Sequence, residues 1–212
     1  QSLLGLPTSL SSVLRPLLCD SGAADDSIQQ LDQTQYSQPA LFIVEYALFR
    51  LLKSWGVKPD ALIGHSLGEY SAACAAGIFS LDDALLIVSE RGRLMQAMGS
   101  GKMLAARISV DLAKNLTRRQ EELSNADRFE IGAINSANDC VFSGTLEALS
   151  RLSETLDNDD VPYRWLKTSH AFHSQAMDSM LSEFKALFER VVLSPPKIKL
   201  ISNVTGVELT SN

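Results

Sequence analysis

The chain has 212 residues, 45% of them hydrophobic, and a formal net charge of −6. That length allows a buried core in one domain or two small ones, and the composition is that of a soluble globular protein. The acidic balance argues against a general nucleic-acid binder, and no apolar run approaches the ~20 residues that span a bilayer. The opening QSLLGLPTSLSSVLRPLL has no basic stretch before a clean apolar core, so it is not read as a signal peptide. Cys19, Cys74 and Cys140 are far apart and show no CxxC spacing. This points to reduced structural thiols in a cytoplasmic setting, with no zinc or disulfide framework.

Residues 19–34 are polar and acidic and read as a loop or the end of a short helix. From Gln38, QPALFIVEYALFRLLKSWG places apolar residues three and four apart. Pro39 suits a first helical turn there, and Gly56 a stop. The turn VKPD leads to a short strand, ALIG (61–64). SLGEYSAACAAG has the small side chains of a tightly packed helix ended by Gly77. Ser80 then caps SLDDALLIVSERGRLMQAM, with Asp83 three residues on. A strand, a turn and a helix over 61–76 fit a parallel α/β sheet.

After GSGK (99–102) the pattern changes. KMLAARI predicts a strand, VDLAKNLTRRQEEL an amphipathic helix, and FEIGAIN with DCVFSG a pair of strands. TLEALSRLSETL predicts a helix and VPYRWLK a strand. This β-α-β-β-α-β order over 101–167 is the ferredoxin-like pattern, inserted into an α/β body made of 1–100 and 168–212. The chain returns through SHAFHS to a helix, MDSMLSEFKALFERVVL, stopped by Pro195 and Pro196, and a last strand, IKLISNV.

GHSLG (64–68) between a strand and a helix is a nucleophile-elbow pattern. A sharp turn strains the serine backbone so that its hydroxyl projects. The flanking glycines let backbones pass closely. The Leu67 amide and the positive end of the following helix face a developing oxyanion. A serine needs a base, and the three histidines are His65, His170 and His173. His65 adjoins Ser66, and side chains of neighbours diverge at a tight turn, which leaves His170 or His173. Arg91, in SERGRLMQ, carries the bidentate fork that suits a carboxylate, although a salt-bridged helix arginine is the commoner reading of such a position. Met95, Met98 and Met103 read as packing. Arg50, Lys53 and Lys58 read as a solvated helix face.

TQYSQPALF, GHSLGEYSAACAAG, SLDDAL, RGRLM, AINSANDCVFSG, SHAFHS and SNVTG occur in one order. This resembles the acyltransferase domain of polyketide synthases, related to malonyl-CoA:acyl-carrier-protein transacylases. The resemblance covers nearly everything from Gln33 to Gly206. It implies an α/β-hydrolase-like body with a ferredoxin-like insertion. Carried over by motif, Ser66 matches the nucleophile, Leu67 an oxyanion amide, and His173, the last residue of HAFH, the base. Arg91 matches the arginine that pairs with the free carboxylate of a malonyl-type extender. The HAFH form, and Leu67 where other members have glutamine, resemble malonyl-selective members. Phe172 would take the space a methylmalonyl methyl needs. His65, Gln38, Asn135 and His170 match positions beside or lining the pocket.

The implied reaction runs through a malonyl-Ser66 ester from malonyl-CoA to the phosphopantetheine thiol of an acyl carrier protein, with no metal and no tightly bound cofactor. Implied partners are that carrier protein and flanking ketosynthase and other synthase domains, in the cytoplasm, with no nucleic acid and no membrane. The family's GQG-type opening strand and closing C-terminal part are not found in this sequence, so the resemblance implies a piece of a synthase truncated at both ends. Two other readings compete: a serine esterase or thioesterase on the same elbow, and a non-catalytic docking fragment. The first would want an acidic third member, and no Asp or Glu stands in a position to nominate.

Overall fold

The computed structural model describes residues 29–120, 123–124 and 127–209. Cys19 and most of the segment 19–34 lie outside them. The chain divides into two compact units, Gln1–Gln96 with Ser182–Asn212, and Ala97–Leu181. The second is longer than the 101–167 expected. The HAFH segment belongs to it, because the Gly101 amide donates to the Ser169 carbonyl and Ser100 bridges His170.

The first unit begins with α1 (Thr34–Ser54). The helix starts four residues before Gln38, so Pro39 sits in its second turn. The early start has a physical reason. Thr34, Tyr36 and Gln38 are buried, and a polar inward face leaves no apolar periodicity to read. Gly56 ends the helix at φ +90, and the Val57 amide closes onto the Leu52 carbonyl. Strand β1 (Ala61–Ile63), α2 (Gly68–Ala76) and α3 (Leu81–Gln96) follow. Gly77 is left-handed beyond α2, and Ser80 Oγ accepts from the Asp83 amide at 3.1 Å at the start of α3. Much of the first unit's core is contributed by α2 and α3, through Ala72, Ala73, Cys74, Ala84, Ile87 and Val88, with Phe42, Leu187 and Leu200. On α1, Leu41, Val44, Leu48 and Leu51 are exposed at helical spacing, and so is Trp55 just beyond its end.

In the second unit come β2 (Lys102–Ala106), α4 (Val110–Arg118), β3 (Phe129–Ser136), β4 (Asp139–Gly144), α5 (Leu146–Asn158) and β5 (Tyr163–Trp165). The strands form one antiparallel sheet in the order β3-β4-β2-β5. Ser109 and Thr145 cap the two helices through their hydroxyls. Alternation along β2 sends Leu104 and Ala106 to the face covered by Ala113, Leu149, Leu152 and Leu156. Met103 and Ala105 go to the other face, where Val141, Leu166 and Phe172 join them. The helix expected over 145–156 spans Leu146–Asn158 with Thr145 as its cap, but VPYRWLK keeps only three strand residues.

The helix expected over 177–193 is broken into a 3₁₀ turn (Gln175–Met180), α6 (Leu181–Leu187) and a second 3₁₀ turn (Phe188–Arg190). Strand β6 (Lys199–Ile201) pairs in parallel with β1, Leu200 opposite Leu62. No helix among the described residues is long and apolar enough to cross a membrane.

Candidate active site

Within the first unit, residues 64–67 link β1 to α2 and form the elbow. Ser66 has φ +52, a left-handed conformation that costs a non-glycine residue ~1–3 kcal/mol. The amides of Gly68, Glu69 and Tyr70 donate to the carbonyls of His65, Ser66 and Leu67, winding the start of α2 directly onto the turn. The Leu67 amide takes no part in those bonds. Leu67's side chain is buried, which fixes the turn against the core. His65 has an exposed side chain and contributes its carbonyl.

The two glycines of the motif are unequal. A Cβ at Gly64 would fall 2.1 Å from the Gly68 carbonyl, whereas one at Gly68 would meet nothing described within 4 Å. Glu69, in the first turn of α2, accepts from the Asn203 amide at 2.8 Å and ties the elbow helix to the segment after β6.

Arg91 lies on the inner face of α3 and is buried, 9% exposed. One guanidinium nitrogen donates to Gln38 Oε1. Gln38, 6% exposed, is held in turn by Thr34 Oγ1 at 2.7 Å and Met95 Sδ at 3.2 Å, both accepting from its Nε2. The neighbouring glycine makes this approach possible: a Cβ on Gly92 would lie 2.9 Å from the Thr34 carbonyl oxygen. The guanidinium carbon sits 5.5 Å from the Tyr70 ring centroid. Burial pulls the Arg91 guanidinium below its ordinary range, opposed by the Tyr70 phenol and then by the charge of Glu69. No carboxylate forms a salt bridge with it among the described residues. Arg93, two positions on, pairs with Glu90 and Glu183 at the surface.

In the second unit, the SHAFHS segment is anchored on the sheet face away from α4 and α5. His170 is 5% exposed, with Ser169 Oγ 2.7 Å from its Nδ1 and the Phe172 ring stacked on it at 5.7 Å. A Cβ at Gly101 would lie 2.6 Å from Ala171, so the GSGK turn passes directly against this segment. Phe172 packs on Met103, Ala105 and Val141.

His173 is exposed and, like Ser66, left-handed, with φ +59. The remaining described non-glycine residue with positive φ is Asp160, at the end of α5, an ordinary place for it. The chain after His173 is fastened by Ser174 Oγ donating to the Ala171 carbonyl and by the Gln175 amide donating to Glu130. Asn135 falls at a register shift between Ile134 and Ser136, and its side chain is exposed.

The first unit therefore brings together Ser66's elbow, Gln38 and Arg91, and the second brings together His170, Phe172 and His173. Sequence reasoning missed Tyr70. Its signal was present, since it follows Ser66 by four residues, one turn into the elbow helix. Among the described residues no three His, Cys, Asp or Glu side chains form a metal-binding group.

A family model described as "acyl transferase domain" matches residues 9–211. The chain is 43% identical over 194 residues to the mycoketide-CoA synthase of Mycobacterium tuberculosis, which covers 92% of this chain and 4% of that synthase. The acyltransferase domain from the second module of the salinomycin polyketide synthase has a TM-score of 0.82 at 34% identity, over 100% of this chain and 47% of that one. The malonyl CoA-acyl carrier protein transacylase of Burkholderia pseudomallei has a TM-score of 0.78 at 32% identity, over 95% of this chain and 70% of that one. The chain thus spans about half of the salinomycin domain structure and a few per cent of the mycobacterial synthase. With a family match running over nearly its whole length, the chain belongs to the acyl transferase domain family.

Proposed function

We propose that this chain loads a malonyl group from malonyl-CoA onto Ser66 and passes it to the phosphopantetheine thiol of an acyl carrier protein. The observation that carries the reading is Arg91. It is a buried cation in the same unit as a strained serine, held by an amide and lying over an aromatic ring, and salt-bridged to no described carboxylate. Such a group awaits an anion, and the carboxylate of a malonyl-type acyl group is one. A neutral acyl group would leave it unpaired, at a cost of ~1–3 kcal/mol.

The mechanism assigns the nucleophile to Ser66, the carboxylate clamp to Arg91 and the base to His173. His173 takes the proton of Ser66 Oγ as the oxygen attacks the thioester carbonyl, and the Leu67 amide donates to the oxyanion. The tetrahedral intermediate collapses with cleavage of the C–S bond, and the departing CoA sulfur takes the proton back from His173. In the second half-reaction His173 deprotonates the carrier thiol, which attacks the ester carbonyl. Ser66 then leaves and is reprotonated.

The left-handed backbone shared by Ser66 and His173 supports this assignment, since strain of that kind collects at reacting groups. His170, engaged by Ser169 and Phe172, reads as the support of Phe172, whose ring would exclude a methyl branch on the acyl group. Gln38 aims Arg91. His65 and Asn135, exposed, read as rim positions beside the acyl pocket. The chemistry needs no metal and no resident cofactor. Its substrates and carrier partner place it in the cytoplasm, beside a ketosynthase within a larger synthase. The strand order of the second unit reads as a ferredoxin-like layer, and the first unit as part of an α/β-hydrolase-like body.

The test is intact mass after mixing with malonyl-CoA. A malonyl adduct that disappears in Ser66→Ala and discharges onto an added carrier protein supports the reading. Rapid CoA release that needs no acceptor and is unchanged by one identifies a thioesterase instead. Arg91→Ala should weaken malonyl loading far more than acetyl loading, and equal loss of both refutes the carboxylate clamp.

A further inference from the structure

Arg91 has one neighbour that the reaction above does not use. Tyr70 stands on α2 one turn beyond Ser66, and its amide is bonded to the Leu67 carbonyl of the elbow itself. Its ring lies 5.5 Å from the Arg91 guanidinium carbon. The ring is fixed from behind. Phe184 meets it edge-on at 6.4 Å, and Phe188 meets Phe184 edge-on at 5.4 Å. All three aromatic residues pack against the first unit's core.

We propose that Tyr70 is a positioning residue: its ring face holds the Arg91 guanidinium in the orientation that receives the acyl carboxylate, and so couples acyl selection to the nucleophile's own helix. The proposal rests on the reading of Arg91 as the carboxylate-binding group. The chemistry of the pair favours it. An aromatic face attracts a guanidinium without neutralising it. Gln38 fixes one end of the fork by a single directed bond, and the ring restrains its plane. Two neutral contacts thus aim the cation without a salt bridge, its burial opposed by the charge of nearby Glu69, whereas an aspartate or glutamate at position 70 would pair with it directly and compete with substrate.

Burial pushes the Tyr70 phenol up, so the ring stays neutral at physiological pH. Glu69 adds negative charge in the surroundings, but its carboxylate is engaged by the Asn203 amide. The placement also has a mechanical consequence. Tyr70 stands in the first turn of α2 with its amide bonded to Leu67 of the elbow, so a shift of the elbow moves the guanidinium's support with it.

The experiment compares the full chain with Tyr70→Phe, which keeps the ring, and Tyr70→Leu, which removes it. The first readout is the side-chain Hε–Nε resonance of Arg91, assigned by its loss in Arg91→Lys. A ring-current shift should be present in the parent, persist in Tyr70→Phe and vanish in Tyr70→Leu. The second readout is the perturbation of that resonance on adding malonate, with acetate as the monocarboxylate control. Malonate should act more weakly on Tyr70→Leu alone. The third is the rate of acyl-adduct formation from malonyl-CoA and from acetyl-CoA. Tyr70→Leu should lower the malonyl-to-acetyl ratio about tenfold, and Tyr70→Phe by less than about threefold.

An unchanged Arg91 resonance in Tyr70→Leu overturns the proposal, and so does an equal loss of both acylations. Tyr70→Phe behaving like Tyr70→Leu overturns the role of the ring. If the parent accepts neither acyl group, the transferase reading fails on its own, and the two spectroscopic readouts still decide the role of Tyr70. Should Tyr70→Leu not fold, Tyr70→Met takes its place, since it refills the volume without a ring.

Discussion

Replacing Gly64 with alanine separates steric need from mere resemblance to a motif. A Cβ there would lie 2.1 Å from the carbonyl carbon and oxygen of Gly68 and 2.3 Å from the Glu69 amide nitrogen. All three atoms are backbone, so no rotamer change relieves the clash. Ordinary contact requires β1 and the first turn of α2 to separate by roughly 1 Å. Overpacking of this kind costs ~1–3 kcal/mol, and rigid backbone on both sides points to the upper end, about 3 kcal/mol. In a domain of this size that corresponds to a fall in Tm of about 6–12 °C. A reacting serine displaced by ~1 Å loses on the order of 100-fold in rate.

Gly68→Ala is the control. Its φ is not left-handed and its Cβ would meet no described atom within 4 Å, so it should be neutral or stabilising by up to ~1 kcal/mol. Urea and thermal denaturation of both variants, followed by adduct formation with malonyl-CoA, measure the contrast. Equal destabilisation by the two substitutions, or a Gly64→Ala protein within about 0.5 kcal/mol of the parent, refutes the steric account.

Gly92→Ala should cost about 1–2 kcal/mol by pressing α3 away from the Thr34 carbonyl, and should lower malonyl loading more than acetyl loading; a calorimetric Tm matching the parent would contradict it. His170→Ala should destabilise by about 2 kcal/mol or more, since a buried, stacked ring is removed. His173→Ala should leave the Tm nearly unchanged and slow adduct formation by ~100-fold or more; the reverse pattern would exchange their roles. Burial lifts the Cys74 thiol from its ordinary 9.0 to about 11. The fold therefore favours the protonated thiol, and this contribution is complete below pH 9 and lost between pH 9 and 11. Denaturation at rising pH should show a loss of about 1–2 kcal/mol across that window. Cys74→Ala should remove that part and leave a residual loss above pH 10 from Tyr70, whose raised phenol has the same sign.

Several elements were legible in residue order because their determinants are local. The elbow is one: an apolar strand, two glycines around a serine, then small residues predict a tight strand-to-helix turn, and Ser66 adopts it. The capped helices are another, since Ser109 and Thr145 bond the amides of Leu112 and Ala148 three residues on. The start of α1 was not legible. Its inward face there is Thr34, Tyr36 and Gln38, and Gln38 turns inward to hold Arg91, far away in sequence, with Thr34 bonded to Gln38 in turn. The fragmentation of 177–193 into 3₁₀ and α turns was likewise hidden. The apolar spacing suits a continuous helix, and the break comes where the chain leaves the HAFH segment for α6.

The sequence by itself determined which residue types stand ready: a serine on an elbow, two histidines in one short loop, and an arginine on a helix. It did so because turn geometry and helix capping depend on neighbours in the chain. Tertiary structure decided what each became. Glycine at position 92 lets α3 approach α1 until Gln38 meets Arg91, and the elbow helix carries Tyr70 to the same cation. The sheet face beneath Phe172 fixes His170 in place, while His173 stands exposed on a left-handed backbone. Those outcomes depend on contacts between residues 20 to 70 positions apart or more, and no local pattern records whether such a neighbour is an anion, a ring or an amide.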